Sequence, residues 1–201
     1  MSLSTMREYE QILKDAIDAL NLDDVKIMVD EMWRAVREGK AIYTMGNGGH
    51  CNTASHMIND IAKHTVSSDD KSEVVTDLRF RTMCFNDSMS FVTGITNDMG
   101  FGDVFAEQVK NWVEQGDIVL GVTGSGNSAN ILKAFEEAKA RGAFTIALTG
   151  FSGGKSKAVA DLCIVVPCQK MVVIEDVHLM INHMVADELK RLVQDRKVLI
   201  G

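Results

Sequence analysis

Five short apolar runs, set among helical patterns, constrain this chain more than any other feature. "AIYTMG", "FRTMCF", "DIVLGV", "AFTIALTG" and "LCIVVP" read as strands. "DIVLGV" shows no polar alternation, the pattern of a strand buried on both faces. Apolar residues elsewhere recur at helical spacing. Met6, Tyr9, Ile12, Leu13, Ala16 and Leu20 mark a first helix. Val25, Ile27, Met28, Met32, Trp33 and Val36 mark a second, closed by Gly39. "TASHMINDIAKH", "DVFAEQVKNWVEQGD", "SANILKAFEEAKARG", "KSKAVA" and "VVIEDVHLMINHMVADELKRLVQD" read as further helices. The second of these has Asp103 at its cap and Gly116 near its end. Strands alternating with helices predict a parallel sheet covered on both faces. The expectation is an α/β fold, a three-layer α/β/α sandwich with about five parallel strands and helices at the N-terminus. In such folds a ligand sits at the carboxyl ends of the strands.

One domain over 1–201 is the simplest organisation: there is a single proline, Pro167, and no Pro-, Ser- or Gly-rich linker or internal repeat. A net charge of -7 argues against a general nucleic-acid or acidic-membrane binder. It leaves room for a small anion held by backbone N–H groups. The opening residues carry charges where a signal peptide needs an apolar centre, and no apolar run reaches the ~18 residues of a membrane span. Cys51, Cys84, Cys163 and Cys168 form no C-x-x-C pair. A cytoplasmic protein with free thiols is expected.

The candidate ligand site lies in "IVLGVTGSGNSANILKAF". Thr123, Ser125 and Ser128 stand between a strand and a helix, at the expected carboxyl edge. Gly124 and Gly126 remove side chains, so backbone can approach a ligand. The helix start presents free N–H groups and a partial positive end. These features suit a phosphate monoester; they also suit a tight turn in which Asn127 or Ser128 caps the helix. The same residues fit G-x-G-x-x-A, but the next strand ends Leu148-Thr149-Gly150 without the acid that a dinucleotide ribose requires. There is no Walker A ending, so no nucleotide cofactor is expected. A second turn, "MGNGGHCNT", repeats the layout with Gly46, Gly48 and Gly49, and Asn47 offers an amide to sugar hydroxyls.

Taken together, "MGNGG", "GITNDMGFGDVF", "LGVTGSGNSANILKA" and "ALTGFSGGK" resemble the sugar isomerase (SIS) domain family, and within it the phosphoheptose isomerases. The resemblance spans nearly the whole chain. It implies a five-stranded parallel sheet, a homotetramer with sites shared between subunits, and residues 1–40 as helices used in oligomerisation. It implies interconversion of sedoheptulose 7-phosphate and D-glycero-D-manno-heptose 7-phosphate. The family's phosphate loop falls on Thr123, Gly124, Ser125 and Ser128. Its sugar-binding residues fall on Asn47, Gly48, Gly49, Asn97 and Asp98, and its metal and catalytic positions on His56, Asp60, Glu175 and His183. The chain departs from the family at four places. It has Asp60 for Glu, Glu175 for Gln, His50 for Ser, and Lys63-His64 for a Gly-Arg pair. Two alternatives stand beside this isomerase: one for another sugar phosphate, and a non-catalytic SIS protein. The latter would sense a phosphosugar or bind a protein partner such as a replication initiator.

The spacings bear on the metal and acid–base groups. His56 and Asp60, four apart on a helix, share a face and can grip one divalent ion, or simply bond each other on an exposed surface. Glu175 and His183, eight apart, are separated by about 12 Å of rise and about 80° of turn. They could meet at one ion only by leaning together, and on spacing alone Glu175 and His178 make a tighter pair. Convergence of His56, Asp60, Glu175 and His183 would make a Zn²⁺ site, one per subunit, with positions left for sugar oxygens. Aldose–ketose isomerisation needs a base, an acid, and stabilisation of a negatively charged enediolate. Asp60 and His183 are the candidates for proton transfer. Cys51 follows a glycine turn near a helix start, where a thiol's pKa can fall. "SSDDKSE", Ser67 to Glu73, reads as a polar loop.

Overall fold

The computed structural model describes residues 3–68, 72, 74, 76 and 78–200, with side chains to residue 195. Of the polar loop Ser67–Glu73, residues 69–71 and 73 lie outside the described residues.

Two helices, α1 (Leu3–Asp18) and α2 (Leu22–Arg37), precede the sheet. The Asn21 side chain caps α2 by accepting from the Asp23 N–H at 3.1 Å. There follow β1 (Ala41–Gly46), α3 (Gly49–Lys63), β2 (Arg81–Cys84), α4 (Met89–Asp98), α5 (Ala106–Trp112) and β3 (Ile118–Val122). Then come α6 (Ala129–Ala140), β4 (Phe144–Gly150), α7 (Ser156–Val159), β5 (Leu162–Val166) and α8 (Met171–Ile200). All strand pairs are parallel, in the order β2-β1-β3-β4-β5.

Every residue of β1 and β3 is buried, so their successive side chains feed two cores on opposite faces. Ile118, Leu120 and Val122 join a core with Met28 and Met32 of α2, Ile61 of α3 and Val177 and Ile181 of α8. Val119 and Tyr43 join the other, with Phe105, Val109 of α5 and Phe135 of α6. The result is the three-layer α/β/α arrangement. Each fully buried apolar side chain stabilises it by about 1.5–3 kcal/mol. On the outer side, Tyr9 donates a hydrogen bond to Asp176 and ties α1 to α8. That bond to the Asp176 carboxylate pushes the Tyr9 pKa up to about 12.

Two elements differ from expectation. Asp103 does not cap α5; its carboxylate accepts from Lys133 Nζ at 2.8 Å, and α5 starts only at Ala106. The helix also stops at Trp112, because Val113 is extended and the Asp117 carboxylate takes the Glu114 and Ala41 N–H groups, each at 2.8 Å. The second difference is α4, which carries no buried residue at all. Its Thr93 and Thr96 hydroxyls donate back to the Met89 and Val92 carbonyls at 2.8 and 2.7 Å.

Candidate active site

The strand order opens a crevice. From β1 the chain moves outward to β2, whereas β3 to β5 build in the opposite direction. The connections leaving β1 and β3 therefore diverge at their carboxyl ends, where open α/β sheets receive ligands. Asn47, after β1, and Asn130, in the first turn of α6, exchange two hydrogen bonds of 2.9 Å across this gap. Asn47 thus spends its amide on locking the two turns together. Gly48 and Gly49 remain exposed, and offer backbone to a ligand.

The loop after β3 holds the expected phosphate-binding residues. Thr123 is buried, and its hydroxyl lies 3.4 Å from that of Ser128. Thr123 Oγ1 also accepts from the Gly126 N–H at 3.3 Å, and Ser125 Oγ from the Asn127 N–H at 3.2 Å. Ser128 is the N-cap of α6, yet its side chain makes no capping bond. A hydroxyl that leaves the helix start uncapped is free to bind an anion there, together with the first N–H groups of α6. Gly126 has φ +66, and a Cβ on it would lie 2.1 Å from the Gly153 carbonyl oxygen. The loop after β4 is thereby pressed against the phosphate loop, with the Ser156 N–H and hydroxyl bonding the Gly126 carbonyl at 2.9 and 3.0 Å.

Helices α3 and α8 both start at this carboxyl edge and run side by side in the same direction. Their facing residues make three rungs. Nearest the loops, a Cβ on Gly49 would meet Glu175 Oε1 at 3.1 Å, and His50 Nδ1 lies 4.0 Å from the same oxygen. The His50 ring packs on His178 at 5.3 Å, and His178 Nε2 bonds the Thr149 carbonyl at 3.1 Å. His50 Nε2, His178 Nδ1 and Asn182 Oδ1 are buried without partners. Burial lowers the pKa of both rings, that of His178 to about 4, so both stay neutral.

On the middle rung His56, Asp60 and His183 come together. His56 Nε2 lies 3.2 Å and His183 Nε2 3.8 Å from Asp60 Oδ2, and the two rings meet edge-on at 5.3 Å. Asn182 donates to the same carboxylate oxygen at 2.9 Å. Two imidazoles and a carboxylate, with donor atoms all within 4.8 Å of one another, fit the ligand chemistry of a divalent cation such as Zn²⁺. The Asn182 bond supplies the outer support that orients such a ligand. Glu175 does not join this group. Its carboxylate lies instead beside Gly49 and His50, eight residues of helix before His183. On the third rung His64 Nε2 bonds Asp187 Oδ1 at 2.9 Å. Asp60, His183, His64 and Asp187 line one cavity of about 370 Å³ with Asn59 and Lys63.

Asn97 and Asp98 end α4, exposed and bonded to each other at 2.8 Å. Burial pushes the Cys51 thiol up rather than down. Sequence reasoning gave no role to Asn130, Asn182 or His50. The first two carried a weak signal, an amide within a turn of a hydroxyl loop and one beside His183. His50 carried only its position after the glycine pair.

Comparison with known proteins gives the following. Residues 6–150 match the family model described as the SIS domain. A phosphoheptose isomerase of Nitratiruptor sp. is 38% identical over 149 residues, 74% of this chain and 75% of that one. One from Clostridium acetobutylicum is 31% identical over 198 residues, 97% of this chain and 94% of its own. Among solved structures, phosphoheptose isomerase from Neisseria gonorrhoeae superposes with a TM-score of 0.81 at 26% identity, covering 93% of this chain and 95% of that one. The phosphoheptose isomerase from Francisella tularensis gives 0.83 at 26% identity, with 94% and 95% covered.

Proposed function

The chain belongs to the SIS domain family, and from that premise we propose that its site performs aldose–ketose isomerisation on sedoheptulose 7-phosphate. It is an isomerase of the phosphoheptose isomerase kind, forming D-glycero-D-manno-heptose 7-phosphate through an enediol(ate). One observation carries the assignment of parts: an uncharged phosphate cradle lies at the sheet edge, and a His–Asp–His cluster lies on the seam that descends from it.

The phosphate ester is held by the hydroxyls of Thr123, Ser125 and Ser128 and by the backbone at Gly124, against the start of α6. The sugar chain then passes the Asn47-Gly48-Gly49 turn, and Asn97 and Asp98 take part in binding its hydroxyls. Reaction moves a proton between C1 and C2 and leaves negative charge on oxygen. Asp60, held by Asn182 and His56, and His183 are the groups assigned to that transfer. His56, Asp60 and His183 would hold one Zn²⁺ per subunit. When bound, that ion supplies Lewis-acid stabilisation of charge on the sugar oxygens.

Several further readings support one another. α4 exposes Met89, and Met99 and Phe101 after it are also exposed; Leu3 and Met6 of α1 are exposed too. Such uncovered apolar faces call for a partner surface. A homotetramer, with α1 and α2 in its contacts, provides one. Among the described residues no helix is long and apolar enough to cross a membrane, and all four cysteines are free. Both suit a cytoplasmic enzyme acting on a small sugar phosphate.

The test is incubation of purified, metal-analysed protein with five-, six- and seven-carbon ketose phosphates, followed by NMR. Turnover of the seven-carbon substrate is expected. His183→Ala should lower kcat by about 10²- to 10⁴-fold while inorganic phosphate still binds. Turnover unchanged in that variant would remove His183 from the mechanism.

A further inference from the structure

We propose that Met171 is an oxidation site that closes the phosphate cradle: a peroxide turns its thioether into a sulfoxide, and the new oxygen takes donors that hold the ester. This rests on the phosphate-binding reading of the loop after β3. Met171 is the first residue of α8, and its side chain reaches onto that loop. A Cβ on Gly124 would fall on Met171 Sδ itself and lie 2.7 Å from Met171 Cε. The thioether therefore lies against bare backbone between Thr123 and Ser125. The His50 ring stands on the same spot, with Cε1 3.3 Å from that Cβ position. Glycine at 124 is what leaves room for the sulfur.

Exposure separates this methionine from those of the core. Met28, Met32, Met45 and Met57 are fully buried, whereas Met171 is 39% exposed. Met6, Met89, Met99 and Met184 are exposed too, but they belong to α1, to the two ends of α4 and to the later part of α8. Met171 is the exposed methionine whose sulfur meets the phosphate loop.

The chemistry is an oxygen transfer. A sulfur lone pair attacks one peroxide oxygen, the O–O bond breaks, an S–O bond forms, and the second oxygen leaves as water. Sulfur is oxidised by two electrons and the peroxide is reduced by two. The product is a polar acceptor on a side chain that was apolar. Among the described residues no protein acceptor takes the Gly124 or Ser125 N–H. Those donors serve an ester oxygen in the thioether form, and the sulfoxide oxygen competes for them. Methionine sulfoxide reductases reverse the step, so the closed state can be reopened.

The test treats the whole protein with hydrogen peroxide, returns oxidised cysteines with a thiol, and titrates inorganic phosphate calorimetrically. Affinity should fall about tenfold or more, the loss expected when a hydrogen bond to a charged group is given up. Peptide masses should place one oxygen on Met171, and methionine sulfoxide reductase should restore the affinity. Met171→Leu keeps the volume without the sulfur. On the same treatment it should stay within about twofold of its own untreated affinity, although Met6, Met89 and Met99 still take up oxygen. Should that variant fail to fold, recovery with the reductase carries the test. Unchanged affinity in protein whose Met171 carries the oxygen would overturn the proposal, as would an equal loss in Met171→Leu. Untreated protein that binds no phosphate would instead sink the phosphate reading, and the proposal with it.

Discussion

Gly126→Ala should loosen the phosphate loop, and the size of the effect can be worked from its surroundings. The residue sits at φ +66, where a Cβ costs about 1–2 kcal/mol. The added carbon would also lie 2.1 Å from the Gly153 carbonyl oxygen and 3.2 Å from the Gly154 nitrogen. These are backbone atoms, so one of the two loops has to move. That movement strains the bonds from the Ser156 N–H and hydroxyl to the Gly126 carbonyl, each worth about 1 kcal/mol. The sum is about 2–4 kcal/mol, or roughly 5–15 °C in Tm for a chain of this size. Differential scanning calorimetry measures the first effect. Inhibition by inorganic phosphate measures the second, and its constant should rise about tenfold or more as the Thr123 and Ser128 hydroxyls separate. Gly94→Ala is the control. Its Cβ meets nothing within 4 Å and its φ is ordinary, so it should stabilise α4 by about 0.5–1 kcal/mol. If Gly126→Ala melts within about 2 °C of the parent and keeps its phosphate affinity, the two loops are not packed as described.

The other predictions use different probes. In Zn²⁺ titrations of metal-free protein, His56→Ala should abolish tight binding, and Asn182→Ala should weaken it about tenfold to hundredfold. Glu175→Gln should leave it within about twofold, because Glu175 lies off the donor cluster. Stability should fall with acid below neutrality. The folded His178 pKa of about 4 lies below the unfolded ~6.5, so the unfolded chain takes up the proton first as pH drops. Denaturant unfolding should lose about 2 kcal/mol between pH 7 and pH 5, and His178→Gln should flatten the slope; equal slopes would contradict the burial. Met89→Asp with Phe101→Asp should shift light-scattering mass toward smaller species, since both side chains are exposed apolar surface.

Local chemistry made much of this molecule legible in its residues. Strands β1, β3, β4 and β5 were readable because apolar runs end in glycine or proline turns, and the three-layer fold follows from their alternation with helices. The helix α4 was hidden for a physical reason. Gly94, Thr93 and Thr96 give it weak intrinsic propensity, and its Val92 and Ile95 are only partly buried against the core, so the apolar signal is short. The His56–Asp60 pair was visible at its four-residue spacing, and His183 joined it through the resemblance alone, since the contact spans more than a hundred residues. The resemblance placed Glu175 among the metal ligands although the eight-residue gap before His183 required the two to lean together, and the donor cluster forms without it. What spacing could not show is that His50 and Glu175, two departures from the usual family residues, face each other at 4.0 Å. Both departures sit at the start of the α3–α8 seam, where burial lowers the His50 pKa while Glu175 stays half-exposed beside the Gly49 turn, so they alter the mouth of the site and leave the His56–Asp60–His183 donors below it unchanged.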